Sequence, residues 1–236
     1  MKTNNCILLL TAAALFSVCA TRAELTVLET HFDQKNLDGW YDVALKSPPD
    51  EQHARIVEEE GRAFLMTSDH RWAGLSCKLT EPVIIDGKLK TITILLRHKQ
   101  AGKGFNIGKV ALSSRECLDI HNGKAFAANK DSGFTVVGHL YGANCTITTR
   151  LDGRDDKTIR QSNPTRPPFF KAHNTWTDWR ITYDHEAKEI SVTVDGASET
   201  TLTLHAVDFT GVTFKSIWIN QMESAYESIK VITNYK

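Results

Sequence analysis

The sequence predicts an all-β fold, a two-sheet antiparallel β-sandwich of the jelly-roll kind, and three observations predict it. Apolar and polar residues alternate with period two in segment after segment. No stretch carries the 3.6-residue period of a long helix, and Gly, Pro, Asp and Ser divide the chain into about a dozen short runs. The strongest run is 176–196, WTDWRITYDHEAKEISVTVDG. Trp179, Ile181 and Tyr183 share one face, Ile190, Val192 and Val194 follow after the polar turn Asp184 to Lys188, and the pair reads as a β-hairpin. Asp195-Gly196 accepts the positive φ angles of a tight turn, so a third antiparallel strand is expected at Thr200 to Leu204.

In chain order, residues 1–23 combine an early lysine, an apolar run from Ile7 to Val18 and small residues at Ala20 and Ala23. This is the pattern of a secretory signal peptide, and the run is too short for a membrane span. Val18 is bulky for the position before a lipoprotein cysteine, so Cys19 is read as part of the leader. Residues 24–236 are then expected to form one exported domain, secreted or periplasmic, with no membrane span and acting as a monomer. Leu25 to Phe32 alternates as an opening strand, and Asp33 to Gly39 is a polar turn before Trp40. Strands are expected at Tyr41 to Lys46, Ala54 to Glu58, Ala63 to Thr67 and Gly74 to Leu79. Thr91 to His98 is longer, with Ile92, Ile94, Leu96 and His98 on one face and Thr91, Thr93, Leu95 and Arg97 on the other. Strands follow at Gly108 to Ser113, Phe134 to Tyr141 and Cys145 to Leu151. Asp152 to Lys171, rich in charge and proline, reads as a long loop. Val212 to Asn220 and Tyr226 to Tyr235 close the set, and no internal repeat suggests a propeller or solenoid.

Three cysteines follow the leader, Cys77, Cys117 and Cys145. An oxidising compartment allows one disulfide, preferably Cys117 with Cys145, or all three are small buried hydrophobes. No CxxC pair is present, which argues against structural zinc.

Charge is unevenly placed. Residues 24–96 have 8 Lys and Arg against 13 Asp and Glu, residues 97–171 have 13 against 6, and residues 172–236 have 5 against 9. A middle third at +7 within a chain at −2 points to an anionic partner, the alternative being a solvated surface. Nucleic acid does not fit, because no motif interleaves the basic residues with aromatics.

Phe32-Asp33 with Gly39-Trp40, Trp176-x-x-Trp179-Arg-Ile-x-Tyr-Asp184 with Val194-Asp-Gly196, and Ile217-Trp-Ile-Asn-Gln221 with Tyr226-x-x-Ile-Lys-Val231 resemble the concanavalin A-like lectin and glucanase superfamily. The resemblance implies two stacked curved sheets, the concave one forming a polysaccharide groove, and with the charge pattern it implies an acidic glycan bearing uronate or sulfate. It leaves the chemistry open among lectins, binding modules, hydrolases and lyases. The retaining glucanases of the superfamily place carboxylates in a pattern similar to E-x-D-x-x-E, which is missing here. Glu116 and Asp119 are the nearest pair, and a spacing of three puts them on opposite faces of a strand.

The expected function is therefore binding of an anionic polysaccharide in a groove lined by the middle of the chain. The alternatives are a polysaccharide lyase acting by β-elimination and a non-catalytic structural or interaction domain. A lyase would use His139 and Tyr141, two apart on one strand face, as proton-transfer groups and Arg97 to hold the uronate. Sugar binding would use Trp72 and Trp176 as stacking platforms with His98 and Arg180, while Trp40, Trp179 and Trp218 read as core. The resemblance also implies a structural calcium ion near Asp33 and Asp38, the only cofactor expected.

Overall fold

The structure, a computed structural model, describes residues 24–42, 54–67, 74–100, 106–116, 131–139, 144–161, 174–195, 201–220 and 223–236. Fifteen strands are found among them. The first nine are β1 (Glu24–His31), β2 (Trp40–Asp42), β3 (Ala54–Glu59), β4 (Arg62–Thr67), β5 (Gly74–Ile84), β6 (Leu89–Gln100), β7 (Asn106–Ser113), β8 (Gly133–His139) and β9 (Asn144–Leu151). The rest are β10 (Arg154–Gln161), β11 (Thr177–Asp184), β12 (Glu189–Val194), β13 (Leu202–Leu204), β14 (Thr213–Asn220) and β15 (Ser224–Tyr235). A 3-10 turn, Phe32–Gln34, follows β1 and ends at Lys35, φ 56°.

The strands form two antiparallel sheets. An eight-stranded sheet runs β13-β12-β11-β6-β15-β4-β3, with β1 also paired to β15, and a seven-stranded sheet runs β10-β9-β8-β7-β14-β5-β2. The hairpin expected at 176–196 is β11 and β12, in register from Trp179 opposite Val194 to Asp184 opposite Glu189. Its strength in the sequence follows from its position: β11 pairs on its other edge with β6, so its inward residues Trp179, Ile181 and Tyr183 are all buried between the layers.

One expectation fails. The charged segment after Leu151 is not a loop throughout: Arg154–Gln161 is β10, hairpinned to β9 through Asp152 (φ 47°) and Gly153 (φ 78°). β10 is an edge strand with Ile159 alone packed on the core, so it lacks the apolar alternation of an interior strand, and its charges protect an open edge. The Asp-Gly pair was the legible signal.

Both inner faces meet in one core. At one end Phe134, Phe209, Phe214 and Tyr183 pack with centroids 5.3 to 6.3 Å apart. Towards the other, the His98 ring lies 5.3 Å from Trp179 and 5.0 Å from Tyr226. Here the layers approach so closely that a Cβ on Gly108 of β7 would lie 2.8 Å from His98 Nε2, which is why β7 carries glycine at that point. Cys77 and Cys145 are buried, and Cys145 is a free thiol. The preferred Cys117–Cys145 bridge is therefore not formed: Cys145 points inward from β9 among apolar side chains, and burial pushes its thiol pKa well up.

Candidate functional site

With the core accounted for, the chemistry lies on the two outward faces. On the eight-stranded sheet the outward residues fall into rows across the strands. One row is Glu29, Lys230, Leu95, Arg180 and Thr193, and the next is His31, Ser228, Arg97 and Asp178. Together they line an open groove of about 730 Å³. Its charges are largely neutralised in place. Arg97 donates from Nη1 to both Asp178 carboxylate oxygens, 3.1 and 3.0 Å away, and its Nε lies 2.6 Å from Glu227 Oε2. Lys230 pairs with Glu29 at 3.1 Å, which holds the Glu29 carboxyl below its usual range. Arg180 is exposed and makes no ion pair among the described residues.

At the β4 end of the same sheet Trp176 packs edge-on to Phe64, centroids 5.5 Å apart. The Lys99 ammonium sits 4.6 Å from the Phe64 centroid and 5.2 Å from that of Trp176, and pairs with Glu59 at 2.7 Å. Trp176 thus already holds a cation of its own chain.

The seven-stranded sheet differs. Its outward face carries a straight row through every strand: Tyr41, Ser76, Trp218, Ala111, Thr135, Thr148 and Thr158. Trp218 is 4% exposed, yet it points away from Ile217 and Ile219 and lies outside the core, with its indole N–H donated to Ser216 Oγ at 2.8 Å. Trp218 is buried as expected, on the face opposite Ile217 and Ile219. Ser76 Oγ and Thr135 Oγ1 are buried and have no hydrogen-bond partner. Lys109 and Arg150 stand on the rows either side, and desolvation lowers the Lys109 pKa.

Of the residues proposed as one lyase site, Arg97 and His139 stand on different sheets. Arg97 belongs to the eight-stranded sheet and faces away from the seven-stranded one, whereas His139 ends β8 of the latter. Arg180 is likewise on the eight-stranded face, beside Arg97 but on the next row. His98 is fully buried on the inward side of β6, with no route to a ligand on either outer face. Tyr141, Trp72, Cys117 and the side chain of His139 lie outside the described residues.

Asp33 and Asp38 are exposed on the segment between β1 and β2, where Asp38 accepts a hydrogen bond from the Asn36 amide at 2.9 Å. Among the described residues no group of three or more His, Cys, Asp or Glu converges. Glu116 is exposed and pairs with Lys215 at 3.4 Å. The residues that the sequence reading did not single out are Ser76, Thr135, Arg115 and Arg150. Alternation places them outward, but nothing in composition shows which outward hydroxyls are left without partners.

No family model matches the sequence, and no curated protein matches it. Solved structures do. A Bacillus subtilis protein of unknown function with a galectin-like fold aligns over 92% of this chain and 100% of its own, with TM-score 0.56 and 10% identity. The winged bean acidic lectin complexed with methyl-α-D-galactose aligns over 92% and 100%, with TM-score 0.53 and 10% identity. The exoplasmic/lumenal domain of VIP36, in a Ca2+ and Man3GlcNAc-bound form, aligns over 88% and 87%, with TM-score 0.52 and 12% identity. The chain has the concanavalin A-like lectin and glucanase fold. Among the described residues no helix is long and apolar enough to cross a membrane.

Proposed function

We propose that this is an exported carbohydrate-binding protein that takes an anionic polysaccharide along the outer face of the seven-stranded sheet. The observation that carries the reading is the row through Ser76, Trp218 and Thr135. Two buried hydroxyls without protein partners flank an indole on a face that is not part of the core. A polar group sealed from bulk solvent calls for a bound water or a ligand hydroxyl, and a sugar offers hydroxyls beside apolar C–H faces. The charge pattern supports an acidic ligand: the +7 segment 97–171 contains β7, β8, β9 and β10, four adjacent strands of this sheet. Sugar binding by the winged bean lectin and the VIP36 domain makes the ligand class reasonable for the fold. The leader at residues 1–23 supports export.

The test is a panel of neutral, uronate and sulfated glycans titrated against the wild type and Thr135→Val, which removes one hydroxyl and keeps the shape. The acidic polymers should bind best and weaken as salt rises. Thr135→Val should lose about 1 kcal/mol of binding, roughly five-fold, without a lower melting temperature. Unchanged affinity in that variant would take this face out of the reading. An ultraviolet-absorbing unsaturated product in the same samples would replace binding by lyase chemistry.

A further inference from the structure

At the end of the seven-stranded face two arginines have guanidinium nitrogens without hydrogen-bond partners. We propose that Arg115 and Arg150 form an oxyanion subsite that takes the carboxylate or sulfate ester of an acidic sugar; this rests on the reading of that face as the glycan site. The row Ser113, Gly133, Arg150 crosses β7, β8 and β9. Two residues past Ser113 comes Arg115, and two before Gly133 comes Asp131, so alternation carries both onto the same outward face. The side chain of Arg115 is only 10% exposed, and its Nε and Nη1 have no hydrogen-bond partner. Its nearest carboxylate, Asp131 Oδ2, is 3.8 Å away, beyond bonding distance. Arg150 repeats the arrangement: Nε has no partner, and Asp155 Oδ1 stands at 3.7 Å on an exposed side chain.

A guanidinium presents five N–H donors in a rigid planar fork, and buried donors are normally satisfied. Two such forks, one 3.8 Å from the buried Asp131 and the other 3.7 Å from the exposed Asp155, leave hydrogen-bonding capacity for an incoming anion. The fork suits the paired oxygens of a carboxylate or sulfate. Gly133, between Ser113 and Arg150 in this row, carries no side chain. The frame is rigid. Ser113 Oγ accepts the Arg115 backbone N–H at 3.1 Å, and Ser114 N–H reaches Ser132 O at 2.8 Å. Ser132 N–H returns to Ser114 Oγ at 2.9 Å, and Gly153 N–H bonds Asp131 O at 2.8 Å. The subsite is therefore preorganised, and an anion would not have to order it.

The experiment titrates the mature chain, wild type, Arg115→Gln and Arg150→Gln, with a neutral, a uronate and a sulfated polymer, and follows thermal melting in inorganic sulfate. Arg150→Gln should lose at least ten-fold in affinity for the acidic polymers while holding the neutral one within two-fold, and the better of the two acidic polymers names the anion. Arg150 is the safer variant if Arg115→Gln fails to fold. A folded Arg150→Gln that keeps the acidic preference overturns the subsite and leaves the glycan reading standing. Should the wild type bind no polymer, the glycan reading falls, and sulfate decides the subsite alone. Because sulfate stabilises proteins generally, the quantity read is the difference between wild type and Arg150→Gln. A larger sulfate-dependent rise in the wild type supports an anion site, and an equal rise overturns it.

Discussion

The two outer faces of this sandwich carry arginines that differ in how fully their hydrogen bonds are satisfied. On the eight-stranded sheet Arg97 is gripped by Asp178 and approached by Glu227, and Lys230 is paired with Glu29. Its groove is broad but mostly self-satisfied. On the seven-stranded sheet Arg115 and Arg150 stand 3.8 and 3.7 Å from their nearest carboxylates, and the hydroxyls of Ser76 and Thr135 are buried without partners. The lesson is that a groove and unsatisfied buried donors need not coincide. A groove whose charges are already matched offers a ligand little that water does not, whereas unmatched buried donors hold binding energy in reserve. The comparison can be broken by substitution on either face.

The largest effect is expected at Trp218. If the indole is anchored by packing and by its bond to Ser216, Trp218→Ala should cost about 3 kcal/mol of stability, read from the urea midpoint. The row would then be a rigid floor. A loss under about 1 kcal/mol accompanied by abolished glycan binding would make Trp218 a ligand platform instead, and would sharpen the contrast with the eight-stranded face, where Trp176 already stacks beside Lys99.

Between the faces lies a control that should leave both untouched. Gly108→Ala sets a methyl 2.8 Å from His98 Nε2, in a region closed by Trp179 and Tyr226, and should destabilise by about 1 to 3 kcal/mol through overpacking. Glycan affinity of the folded fraction should not change. A coupled loss of affinity would mean that the spacing of the layers shapes the outward row, and the two faces could no longer be treated as independent.

Much of the fold was legible because alternation reports which side of a strand is buried. Trp179, Ile181 and Tyr183, and Ile92, Ile94 and Leu96, fell on the expected faces, and β11 paired with β12 in the expected hairpin. β10 was missed because an edge strand needs no apolar alternation, although Asp152-Gly153 announced its turn. The site was less legible for a different reason. Period two separates the faces of one strand, but it cannot say which sheet that strand joins. Arg97 and the β8 residues were therefore grouped into one constellation that the topology divides. His98 shows the related error: a histidine beside an outward arginine faces inward by the same rule that exposed the arginine. Trp218 alternates correctly and is buried as expected, yet on the side away from the core, a distinction that depends on long-range pairing alone.

The smallest effect tests whether charge matching keeps the eight-stranded face from binding acidic polymers. If it does, removing the match should let the face bind them. Asp178→Asn takes away the bidentate partner of Arg97, and Glu227→Gln takes away the second carboxylate. Both acidic groups are at least partly exposed, so the stability change should stay below about 1 kcal/mol, as for surface ion pairs generally. The double variant loses two negative charges relative to the wild type in a groove that also holds Arg180. It should acquire a weak, salt-sensitive affinity for acidic polymers that Arg97→Ala in the same background removes, detectable as a second binding phase in titration calorimetry. The wild-type phase should be unaltered, because Thr135 and Arg150 are on the other sheet. If the double variant gains nothing, charge matching is not what distinguishes the two faces, and the difference lies instead in the buried outward hydroxyls of Ser76 and Thr135.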